Sequence, residues 1–140
     1  MSPRPNVSHI RIPQILQAAI DVFAKKGIAT ATMDDIALKA GISKATIYLY
    51  FKNKEALLDS ILPYYYDEIF EPLKEMAEKK EESASDRIRY AISEAAKKLA
   101  KMRKSTRVIY DLYSLALRRP KMKKYLRERF RQSSGVIAQW

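Results

Sequence analysis

The side chains in this sequence that could do chemistry gather in one stretch, Thr32 to Lys54, TMDDIALKAGISKATIYLYFKNK. Lys44, Lys52 and Lys54 offer ammonium groups, Thr46 and Tyr48 offer hydroxyls, and Ala45 offers almost no bulk. Such a set suits nucleic acid: cations and hydroxyls meet phosphate oxygens, and a small side chain permits close approach to base edges. Catalysis finds little to work with. The chain has no cysteine and one histidine, His9, which argues against thiolate chemistry, zinc clusters and histidine-based triads. Asp111 and Glu94 are lone acids, and no phosphate-cradling loop or nucleophile motif is present. The reading is of a protein that is not an enzyme and uses no cofactor and no metal.

Two helices are needed to present these side chains. Thr32 can cap the first with its hydroxyl, and Asp35, three residues on, can bond back in a variant of the capping box. Asp34 and Asp35 place negative charge at that helix's positive end. Ile36, Ala37 and Ala40 form its inward stripe. Gly41 follows, where a short turn needs positive φ. Ser43 can cap the second helix, in which Ile47 and Phe51 lie one turn apart and face the first. Ala45 and Leu49 share the opposite face, and Lys44 stands at the tip. A helix held this way offers its front end and outer face to a major groove. An ordinary pair of core helices would show the same spacing; the cations and hydroxyls on the outer face favour DNA.

At these residues the sequence resembles a known family. The runs ILQAAIDVFAKKG and ATMDDIALKAGISKATIYLYFKNKEALLDSIL are similar to the N-terminal domain of the TetR family of transcriptional regulators, over roughly residues 11 to 62. The run Thr46 to Phe51, followed by Lys52, Lys54, Glu55 and Leu57, is the most specific part. The resemblance implies DNA contacts at Thr32, Met33, Ser43, Lys44, Ala45, Thr46, Tyr48, Tyr50 and Lys54. Thr32, Thr46, Tyr48 and Lys54 suit phosphates, Lys44 suits guanine acceptors, and Leu49 suits a thymine methyl. Tyr50 reads equally well as half-buried packing. The resemblance further implies a homodimer on palindromic double-stranded operator DNA and a small-molecule effector that releases a repressor; with no apolar run of signal-peptide type, a cytoplasmic location is expected.

The surrounding chain is read as all-α. Its 140 residues, 47% of them hydrophobic with three glycines, suit a helical globular protein. The expected division is a helix-turn-helix domain over residues 1–53 and a helical effector-binding and dimerisation domain over residues 54–140. Residues 1–10, with Pro3, Arg4, Pro5 and His9, read as a loose arm. Pro13 fits the first turn of a helix that ends at Gly27. A long helix begins near Lys54, and Pro63 and Pro72 should bend or break it. After a polar link over residues 79–85, a fifth helix turns Ile88, Ala91, Ile92, Ala95, Leu99 and Met102 inward. A sixth begins at Ser105 or Thr106 with Ile109, Leu112, Tyr113 and Ala116. A seventh starts at Pro120 and carries Met122, Leu126 and Phe130. By resemblance two further helices are expected, so the chain reads as incomplete at its C-terminus.

An effector pocket, if the resemblance holds, would draw on Tyr66, Phe70, Leu99, Met102, Tyr110 and Tyr113; at helical spacing the same residues also suit plain core. Charge is uneven along the chain. Residues 1–54 carry 8 basic and 3 acidic groups, residues 55–85 carry 3 and 9, and residues 86–140 carry 16 and 4. The basic front fits nucleic acid and the acidic middle should point away from it. The basic tail leaves an alternative function, a non-specific nucleic-acid or acidic-surface binder using the Arg118–Arg131 cluster. No run approaches the length of an apolar membrane span, so no membrane partner is expected.

Overall fold

The computed structural model describes residues 7–138 apart from Lys80; the side chains of residues 69, 70, 73, 77, 102, 104 and 133–138 are outside the description. Seven α-helices account for the described chain: α1 (Ser8–Lys26), α2 (Met33–Ala40), α3 (Lys44–Tyr50), α4 (Lys54–Glu78), α5 (Ala84–Lys101), α6 (Thr106–Ala116) and α7 (Pro120–Ala138). A 3-10 turn, Met102–Ser105, joins α5 to α6 and was not anticipated from the sequence.

α1 begins earlier than expected. Ser8, His9 and Ile10 are helical, so His9 does not belong to a loose arm; Pro3, Arg4 and Pro5 lie outside the described residues. Pro13 therefore sits inside the helix rather than at its first turn. Its missing N–H would have met the His9 carbonyl, and His9 is exposed, so water can serve that oxygen. At the far end the expected cap is present: Gly27 has φ 82°, and its N–H donates to Phe23.

α4 runs unbroken through Pro63 and Pro72, so of the expected bend or break the break does not occur. Pro72 removes the partner of the Glu68 carbonyl, and the Lys98 ammonium of α5 donates to that oxygen at 2.5 Å. The lost backbone bond is thus replaced by a charge-assisted one from a neighbouring helix. α5 packs alongside α4, with the Tyr90 hydroxyl donating to Glu75 at 3.2 Å.

One hydrophobic cluster joins both halves of the chain. Ile15, Leu16, Ile20 and Phe23 of α1 meet Ile36 of α2, Ile47 of α3, Leu57, Ile61 and Tyr65 of α4, Leu112 of α6 and Met122 of α7. Tyr65 also donates a hydrogen bond to Gln17 of α1 at 3.3 Å. The fifth helix departs from its expected pattern. Ala91 is buried, but Ile88, Ile92 and Leu99 are 43%, 65% and 57% exposed. α5 has α4 on one side only, and its narrow contact stripe runs through Ala91 rather than through the isoleucines. Tyr113 of α6 and Phe130 of α7 are likewise exposed rather than core.

The acidic middle and the basic tail partly neutralise each other. Arg119, just before α7, pairs with Asp59 at 2.9 Å and Glu55 at 3.3 Å. Arg129 pairs with Asp67 at 3.4 Å, and the Tyr125 and Tyr66 rings meet edge to face at 6.2 Å. These contacts advance in the same direction along both helices, so α7 lies parallel on α4. The Arg118–Arg131 cluster is therefore not a uniform cationic face. Two of its guanidiniums are engaged within the chain, which weakens the reading of a charge-driven, non-specific binder.

Candidate nucleic-acid interface

The turn between α2 and α3 closes by hydrogen bonds the local sequence dictates. Gly41 adopts φ 70°, ψ 30°. Its N–H reaches the Leu38 carbonyl at 3.2 Å, and the Ile42 N–H reaches the Ala37 carbonyl at 3.0 Å. This pair of bonds is the Schellman arrangement, which uses carbonyls that a helix end otherwise leaves bare. From α1, the Gln14 amide donates to the Ala40 carbonyl at 2.6 Å and covers another.

The start of α2 is fixed as firmly. Thr32 Oγ1 accepts from the Asp35 N–H at 3.1 Å, and Asp35 Oδ2 accepts from the Thr32 N–H at 3.0 Å, the expected reciprocal cap. Asp35 Oδ1 also accepts from Lys26 at 2.8 Å. That pair places a cation at the C-terminal end of α1 and an anion at the N-terminal end of α2, where each helix dipole favours it. The Lys26 ammonium, then the two Thr32 bonds, hold the Asp35 carboxyl at a pKa of about 2, below the usual carboxylate range. Gln14 and Lys26 were not singled out from the sequence. A basic residue in the last turn before a capped helix was the available signal for Lys26.

Ser43 caps α3: its Oγ accepts from the Thr46 N–H at 3.1 Å, and the two hydroxyls lie 2.7 Å apart. Ile47 is wholly buried and Phe51 nearly so, as the spacing required. With one face locked, the other is free. Leu49 is 81% exposed and Tyr48 44% exposed, and Lys44 and Ala45 beside them are exposed. Lys44 reaches Asp34 at 3.3 Å across solvent. A surface pair of this kind is worth about 0–1 kcal/mol, so a competing anion or base edge displaces it easily.

Among the expected DNA contacts, the structure brings Ser43, Lys44, Ala45, Thr46, Tyr48 and Leu49 together at α3, with Thr32 at the tip of α2. Three others stand differently. Met33 is buried at 7% exposure, so its side chain belongs to the core rather than to a contact surface. Tyr50 is half-buried and packs on the cluster, the second of its two readings. Lys54 was expected on a phosphate, but its ammonium donates to the carbonyls of Ile28, Ala29 and Ala31 at 2.8, 3.2 and 2.9 Å. All three of its hydrogens have partners within the chain.

The expected effector lining comes together only in part. Tyr66 is buried and Tyr113 is 39% exposed; partial burial, then the nearby Tyr66, pushes the Tyr113 hydroxyl's pKa up, so the two are neighbours. Leu99 at 57% and Tyr110 at 75% exposure face outward and enclose nothing. The side chains of Phe70 and Met102 lie outside the described residues. A cleft of about 460 Å³ opens elsewhere, between the α1–α2 turn and α6, with Lys54, Leu58, Asp111, Ser114 and Arg118 in its walls. No helix among the described residues is long and apolar enough to cross a membrane.

Residues 15–61 match the family model described as bacterial regulatory proteins, tetR family. The chain is 45% identical over 65 residues to an uncharacterized HTH-type transcriptional regulator, YerO, of Bacillus subtilis (strain 168); the match takes in 46% of this chain and 22% of that protein. It is 40% identical over 75 residues to the fatty acid metabolism regulator protein of the same organism, covering 51% of this chain and 39% of the relative. Among solved structures, the fatty acid degradation regulator FadR from Bacillus halodurans superposes with a TM-score of 0.68 at 25% identity, over 99% of this chain and 69% of the other. The matched stretches thus span less than half the length of these two curated relatives.

Proposed function

The chain belongs to the tetR family of bacterial regulatory proteins, and we propose that it is a sequence-specific DNA-binding transcriptional regulator, a repressor freed from a palindromic operator by a small ligand. The observation that carries this reading is α3. A helix of seven residues is capped by Ser43, pinned from behind by Ile47, and turned outward at Lys44, Ala45, Tyr48 and Leu49. Nothing in a purely structural helix pair calls for a half-bare outer face whose one cation is held by a surface pair alone.

In this reading Lys44, at the tip, reads base edges in the major groove, and Thr32, Thr46 and Tyr48 meet phosphates. Residues 1–53 form the DNA-binding domain and residues 54–140 the effector and dimerisation domain, with the Asn53 cap of α4 at the division. One helix-turn-helix makes too few base contacts for the usual specific affinity, so the functional unit is a homodimer in the cytoplasm. The effector is a small apolar molecule bound beside Tyr66 and Tyr113. Fatty-acyl compounds are the first to test, because two of the similar proteins are named as fatty acid regulators.

Selection of bound duplexes from a random pool tests the reading. The expected outcome is an inverted repeat with half-sites about 34–36 Å apart; a pool that stays random after selection excludes it. On the selected duplex, Lys44→Ala should cost about 1–3 kcal/mol and relax the preference at one position, while random DNA loses less. Titrations of both duplexes with the variant measure this directly.

A further inference from the structure

Lys54 is the first residue of α4, with Asn53 capping the helix from outside. A cation there is poorly placed for its own helix, because the dipole's positive end lies at the same point. The structure shows what it serves instead. The turn after α1 closes on itself through the Ala31 N–H and the Gly27 carbonyl at 3.1 Å, and the carbonyls of Ile28, Ala29 and Ala31 converge on the Lys54 ammonium. An ammonium has three hydrogens and no more, so a phosphate could be bound only by breaking at least one of these bonds. The residue after Ala31 is Thr32, the cap of α2. The clamp therefore runs from the first turn of α4 to the residue next to the start of the helix-turn-helix.

We infer that Lys54 is a positioning residue: it clamps the α1–α2 turn to α4, sets the angle at which α2 and α3 are carried, and does not contact DNA phosphate. The inference rests on the DNA-binding reading for its consequence, but the clamp itself is testable without DNA. Lys54→Met keeps the alkyl stem and removes only the charged group. Amide exchange at Ala31 should quicken about tenfold or more, as one lost hydrogen bond to a charged group requires, while exchange at Ile20 in the core of α1 stays unchanged. On the selected duplex the affinity should fall about tenfold with the salt dependence unaltered. A phosphate ligand would behave otherwise: its removal makes the slope of log K against log salt shallower by about 0.9 and leaves the turn alone.

A slope that becomes shallower, an Ala31 amide that exchanges at the wild-type rate, or quicker exchange with undiminished affinity would each overturn the inference. The wild-type protein supplies an arm that needs no variant. Nuclear magnetic resonance should show couplings from the Lys54 nitrogen across hydrogen bonds to the carbonyl carbons of Ile28, Ala29 and Ala31, free and on the duplex alike. Their disappearance on DNA also overturns it. If the wild type enriches no duplex at all, the regulator reading fails, and the exchange and coupling measurements still judge the clamp.

Discussion

The region from Gly27 to Phe51 and the region from Ala84 to Phe130 are both helical, yet they are finished in different ways. In the first, four successive helix ends each have their own closing device: the Gly27 turn, the Thr32–Asp35 box, the Gly41 turn and the Ser43 cap. Its large apolar side chains are mostly inside, and the exposed ones are Leu38 on α2 and the adjacent Tyr48 and Leu49 on α3. In the second, Ile88, Ile92, Leu99, Tyr110, Leu117 and Phe130 are all exposed, and ion pairs such as Arg119 with Asp59 supplement a few buried side chains. The front region thus owes its geometry to local bonds and a full core. In the rear region α5 leans on α4, and α6 and α7 reach the shared core through a few side chains, Val108, Leu112, Ala116 and Met122. In the proposed function a reading head must hold its shape before it meets DNA, and local closure supplies that.

Deleting core bulk should separate the regions most clearly. Ile47→Ala, at a position with no exposure, should cost about 2–5 kcal/mol of stability. The equivalent Ile92→Ala, at 65% exposure, should stay within about 0.5 kcal/mol. Urea denaturation of both variants measures the contrast, and similar losses would mean that the exposed face of α5 is covered in solution.

A smaller effect isolates the local devices. Gly41→Ala has open space for the added methyl, so any loss comes from the left-handed backbone alone. About 1–2 kcal/mol is expected. Comparison with Ala100→Gly on exposed α5, about 1 kcal/mol by helix propensity, would show whether the turn or mere helicity is at stake. The test is the same denaturation, read together with the α2 and α3 amide shifts, which should move only for Gly41→Ala.

The smallest effect is acid sensitivity. Asp35 has its pKa depressed in the folded state, so the contribution of its bonds is fully present above the unfolded carboxylate value of 3.8. It is lost as pH falls through the window from there to about 2. Asp35→Asn should flatten the stability curve across that window and leave it parallel to wild type above it. A carboxyl titration of Asp35 with a midpoint near 3.8 would remove the Lys26 brace from the account.

Much of this arrangement could be read from the chain itself. Thr32, Asp35, Gly41 and Ser43 close helix ends through bonds spanning five positions or fewer, so their types and spacing suffice to place two helices and a turn. Ile47 and Phe51 show their burial through helical period alone. What only the tertiary structure decided involves residues far apart in sequence. Lys54 meets carbonyls more than twenty positions upstream, so a free lysine and a clamped one look alike in the sequence. Pro72 was expected to bend or break α4, and the Lys98 ammonium that takes the freed Glu68 carbonyl comes from another helix. The stripe of α5 has helical period whether or not anything covers it, and periodicity specifies a face without specifying its neighbour. Local bonds are written in local sequence; the partner of a long side chain or an apolar face is settled only when the helices pack.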